Sequence, residues 1–247
     1  WVFYAAVWLI AMPLMIGANL RFGGTVTSIQ SDVRAMANTG GVMIGFIAAC
    51  VAVMAVWSFM YSARSASGMA CLPIRREGVF LSVSLAGIAP LIAVNVLIFL
   101  LSLGTQALYG VADVSVLGQW LAAVTLELVF YYGFALLCAQ LTGNLAVLPA
   151  VYLVLSFTAY AVNVIAGSLL SAFVYGAAGL YGPSMLSGAL TPPLGMLVYS
   201  EVNAERVYNA AGEFYEVTRY YLTGWGALAI YAAVGILFAA LALWLYR

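Results

Sequence analysis

The chain has 247 residues, 66% of them hydrophobic and 6% charged, and its eight basic and eight acidic residues leave no formal net charge; a soluble domain carries roughly a quarter charged residues. Together with a mean hydropathy of +1.10, this excludes a soluble globular domain, and the lack of any basic excess argues against a nucleic-acid partner. Every basic residue is arginine and histidine is absent, so Ser-His triads, His-ligated zinc, HExxH proteolysis and the GxxxxGK[ST] phosphate loop are all removed.

The apolar runs are continuous rather than alternating, which predicts membrane-spanning helices and not a β-barrel. Trp1 already lies in such a run and Arg247 directly follows one, so both natural ends are expected to lie outside this sequence. The first span is predicted at about 2–20 and is followed by a polar connection at 21–40. The second, at about 41–61, opens with Gly41 and Gly45, a GxxxG surface for close helix packing that suits a contact within the subunit better than a dimer seam.

Segment 62–79 is basic and broken by proline. Ser62 to Ser67 forms a polar exit, Gly68 relaxes the backbone, Leu72-Pro73-Ile74 starts a short helix, and Arg75-Arg76-Glu77 supplies its polar face. A short helix along the membrane face suits anchoring to anionic lipid or docking of a soluble partner.

The remaining spans are predicted at about 80–103, 118–140, 145–169 and 223–246, separated by a link at 104–117, a turn near 142–144 and a long connection from 170 to 222. That connection is first rich in glycine and proline, which fits a re-entrant hairpin buried in protein. Val207, Ala211, Phe214, Val217 and Tyr221 then recur at spacings of three and four, which predicts an amphipathic helix at the membrane surface. Tyr215, Tyr220, Tyr221 and Trp225 suit an interfacial anchor. No internal repeat stands out. Arginines divide four and four between the two sides, so charge alone does not orient the chain.

Asp32 and Asp113 fall in connections, which argues against an aspartyl intramembrane protease. Cys50, Cys71 and Cys138 lack metal-ligand spacing and suit small apolar packing. Glu127 is the acid predicted deep in a span, where charge is costly and usually functional or paired. With a rise of about 1.5 Å per residue, Asn95, Glu127 and Asn163 would lie roughly 9–14 Å below one outer edge, a candidate polar layer lining a pathway. If Glu127→Gln, Asn95→Ala and Asn163→Ala each left transport and assembly unchanged, that layer would have no role.

The order "RSASGMACLPIRREGVF" (64–80), together with "FALLCAQLTGN" (134–144), "LTPPLGMLVYSE" (190–201) and the six-span order, resembles the type-2 ABC exporter permeases, in particular small six-span bacterial ones. The likeness covers essentially the whole chain. It implies that the segment after span two is a cytoplasmic coupling helix seated in a separate ATPase subunit, with Arg64, Gly68, Leu72, Pro73, Ile74, Arg75 and Arg76 as the contact. It also implies short re-entrant helices before span six, and a second permease, identical or homologous, across the pathway. The amphipathic helix that precedes span one in that family has no counterpart in this sequence.

The expected fold is thus an all-α integral membrane protein, a single transmembrane domain of six helices over 1–247. It has a coupling helix between spans two and three and a re-entrant or amphipathic outer segment before span six. The expected role is the permease subunit of an ABC transporter, an exporter in a bacterial plasma membrane. It is not an enzyme itself and carries no cofactor, ATP and Mg residing on the partner ATPase. Two rivals are a proton-coupled secondary transporter using Glu127, against which the lack of a repeat counts, and a membrane anchor or immunity protein that transports nothing.

Overall fold

The computed structural model describes residues 1–62, 67–68, 75–111, 113–174, 185–208 and 215–246. Six of its helices are long and apolar enough to cross a membrane. The first, α1 (Val2–Arg21), contains a π turn at Ile10–Leu14 that holds Pro13. Proline has no N–H to donate and its ring crowds the preceding turn, and a wider turn accommodates both.

Helix α2 (Val26–Tyr61) is 36 residues long, about 54 Å at the α-helical rise, well beyond a hydrocarbon core of about 30 Å. The polar connection expected over 21–40 therefore shrinks to residues 22–25. Two features start the helix early. The Thr25 side chain caps it by accepting the Ser28 N–H at 3.3 Å. Ile29, Val33 and Ala37, four residues apart, form one buried stripe beside the buried Arg34, so this stretch is a packed amphipathic helix rather than a loop. A second π turn spans Met36–Gly40.

Three further spans follow, α3 (Arg76–Leu108), α4 (Val114–Leu141) and α5 (Leu148–Phe173), then the short helices α6 (Met185–Ala189) and α7 (Pro192–Tyr199), strands β1 (Val202–Tyr208) and β2 (Tyr215–Leu222), and the last span α8 (Trp225–Tyr246). Helix α4 is the central pillar: 67% of its most apolar window is buried, against 6% for α5 at the periphery. Glycines bring its neighbours close. A Cβ on Gly133 of α4 would run into the Gly235 carbonyl of α8, and one on Gly235 would run into the Phe130 backbone, so these two helices touch through their main chains. On the other flank Gly41 of α2 faces Val124 and Glu127, and Gly45 faces the Tyr131 ring. The GxxxG surface is therefore used inside the subunit.

The outer segment departs from expectation. In place of an amphipathic helix through Val207, Val217 and Tyr221, β1 and β2 form an antiparallel pair joining Val202 with Leu222 and Ala204 with Tyr220, with an irregularity between Glu205 and Arg206; Ala211 and Phe214 lie outside the described residues. The apolar spacing of three and four is real, but the segment is made of valine, threonine and tyrosine, which lose side-chain freedom in a helix and fit a pleated strand. The fold is all-helical only in its membrane-spanning part.

Candidate functional site

Glu127 sits midway along α4 and is wholly buried, and neither carboxyl oxygen has a hydrogen-bond partner. It lies against Gly41 of α2, where any Cβ would collide with Oε2. On its own helix the Tyr131 hydroxyl, one turn on, and the Trp120 indole N–H, two turns back, are buried and equally without partners. From α1, Trp8 stacks edge-on against Trp120 with centroids 5.0 Å apart and touches the position a Gly40 Cβ would take. Tyr4, one turn earlier, donates its hydroxyl to Asn95 Oδ1 of α3 at 2.7 Å and lies within electrostatic range of Glu127. The four helices thus converge on one polar cluster inside an apolar bundle.

Two of the three residues of the expected polar layer belong to this neighbourhood. Asn95 and Glu127 flank Tyr4, whereas Asn163 donates to Ser187 Oγ of α6 at 2.9 Å and takes no part in the cluster. An apolar groove of about 270 Å³ between α1, α2 and α3, walled by Tyr4, Val7, Ile44, Ala48 and Leu91, runs up to the Tyr4 ring. Asp32 and Asp113 hold the outer helix ends together: Asn19 Nδ2 donates to Asp32 at 2.9 Å, Gln30 Nε2 donates to Asp113 at 2.9 Å, and Gln106 Oε1 accepts the Asp113 backbone N–H at 3.0 Å.

Helices α6 and α7 form a second polar feature. Asn163 lies ten residues from the end of α5 and Tyr231 six residues into α8, so contacts to them place the pair about 9–15 Å below the helix ends. Tyr231 donates its hydroxyl to the Ala189 carbonyl at 2.6 Å, and Thr191 Oγ1 donates to the Ser187 carbonyl at 2.8 Å. Asn38, in the middle of the second π turn, points its amide at the Leu197 carbonyl at 3.2 Å, at Ser200 Oγ at 2.9 Å and at the Ser200 carbonyl. It thereby satisfies the carbonyls that α7 leaves open at its C-terminal end. Beneath the pair, Phe130, Leu190, Pro192, Tyr231 and Phe238 line a groove of about 390 Å³.

Of the expected ATPase contact, Arg64, Leu72, Pro73 and Ile74 lie outside the described residues. Gly68 has open space around its Cα. Arg75 precedes α3 with an extended backbone, and Arg76 is its first residue; both are exposed. Among the described residues no group of three His, Cys, Asp or Glu side chains could hold a metal ion.

Sequence reasoning missed Tyr4, Trp8, Trp120, Tyr131 and Asn38. The spacing of Trp120, Glu127 and Tyr131 by seven and four puts them on one helical face, a signal present in the sequence. Asn38 has none, because its partners lie about 160 residues away. No family model, curated protein or solved structure matches the chain.

Proposed function

We propose that this chain is the membrane-spanning permease subunit of an ABC transporter, an exporter of a bacterial plasma membrane driven by separate ATPase subunits and working beside a second permease. The observation that supports it most is the pair of short helices α6 and α7. They are held inside the bundle between the fifth and sixth spans by Asn163, Tyr231 and Asn38, as the likeness of "LTPPLGMLVYSE" to that permease family implies.

The mechanical role then falls to α3. It is one helix of 33 residues beginning beside Arg75 and carrying Asn95 in its middle, with Pro90 between them, so a push at its basic end reaches the polar cluster along a single element through the turn that the proline loosens. ATP closes the partner subunits, and their unequal affinity for two arrangements of the spans shifts the permease between them. ATP and Mg stay on the partner chain.

Co-purification with candidate ATPases tests the reading, comparing the intact chain with the Arg75→Glu/Arg76→Glu variant. Capture of an ATPase by the intact chain and its loss from a folded variant is the expected result. If the intact chain retains no ATPase, the reading fails.

A further inference from the structure

Glu127 is an acid enclosed midway along the most buried helix, with no hydrogen-bond donor on either oxygen. The groups around it are uncharged. Helix α2 presents the backbone of Gly41. Helix α1 presents Tyr4, whose hydroxyl is given to Asn95 of α3, and its own helix presents Tyr131. Helix α8 carries Tyr231, whose hydroxyl goes to the Ala189 carbonyl. The charged residues on α2 are Asp32, which accepts from Asn19 Nδ2 at 2.9 Å, and Arg34, two turns from Gly41, with a guanidinium that donates to the Gln30 carbonyl at 3.2 Å. A carboxylate in this setting has lost its hydration and gained no counter-charge, whereas the neutral acid loses far less on burial. The contact of α2 with α4 is a direct part of the enclosure, because Gly41 leaves the room that the Glu127 carboxyl fills.

We propose that Glu127 is a proton-binding site that fastens α2 to α4: the carboxyl keeps its proton while it lies against Gly41, and gives it to water when the two helices part. Tyr131 and Asn95 have unused donors beside it, ready to hold the water that enters. Closing binds one proton, so acid favours the closed seam and alkali the open one. The inference does not rest on the transporter reading, since it concerns a helix seam that any partner or driving force would have to open.

Two measurements on the full chain in lipid nanodiscs test it. Infrared spectroscopy of wild type labelled with carbon-13 glutamate should show a protonated carboxyl carbonyl that persists to neutral pH, well above the range in which a carboxyl in water loses its proton. Its absence at neutral pH would overturn the proposal without any variant. The second uses Cys50 of α2 and Cys138 of α4, both buried, in a Cys71→Ser background, and follows their alkylation by N-ethylmaleimide. In E127Q the rate should climb by about tenfold per pH unit from thiol ionisation alone, and with Glu127 present by up to roughly a further tenfold per unit as the seam opens. Equal pH slopes in the two proteins would sink the idea.

Discussion

Single glycines and amides decide how this bundle closes. Gly41 is the sharpest case, because a side chain there meets both Val124 and the Glu127 carboxyl. Gly41→Val should destabilise the protein by about 1–3 kcal/mol through overpacking, read as a lower thermal midpoint in detergent; combining it with Glu127→Ala should recover part of the loss by making room. Asn38→Ala removes the donor that α7 uses at its C-terminal carbonyls. Leaving such acceptors unpaired costs roughly 1–3 kcal/mol, and the expected readout is faster amide exchange confined to α7 and its neighbour α6. Glu127 itself was legible in the sequence as a buried acid. Of its environment only Asn95 was legible, by its depth in the neighbouring span; Tyr4 and Gly41 were not, because they come from two other helices.

At the scale of elements, the outer segment shows where periodicity misleads. A spacing of three and four between apolar residues suits a helix, yet Val207 lies in β1 and Val217 and Tyr221 lie opposite it in β2. Local propensity and cross-strand pairing outweigh the pattern when the stretch is short and rich in β-branched and aromatic residues. Ala204→Cys with Tyr220→Cys distinguishes the two. These residues are direct partners in the hairpin, within disulfide reach, whereas in a helix they would stand about 24 Å apart. Oxidation should link them within one molecule, and failure to do so would remove the hairpin. The extension of α2 back to Val26 has the opposite lesson: its stripe of Ile29, Val33 and Ala37 was visible, but the polar residues between them masked a helix that continues beyond the apolar core.

For the molecule as a whole, six helices are long and apolar enough to cross a membrane, and a chain that crosses with all six carries the link between the second and third on the opposite side from the link between the fifth and sixth. Cys71 and a cysteine replacing Asn203 should therefore react with a membrane-impermeant maleimide from opposite faces, against a quiet background because Cys50 and Cys138 are buried. Labelling of both from one face would mean that the helix count is wrong. The count of helices long and apolar enough to cross a membrane followed from the sequence alone, since burying a backbone in hydrocarbon demands long apolar helices and leaves few other solutions. The tertiary structure alone determined that α4 is the pillar, that Gly41 faces Glu127, and that Asn163 joins α6 rather than the polar cluster. All six spans are apolar around most of their circumference, so hydrophobicity does not tell a lipid-facing side from a protein-facing one; close packing between small residues and satisfied polar groups does.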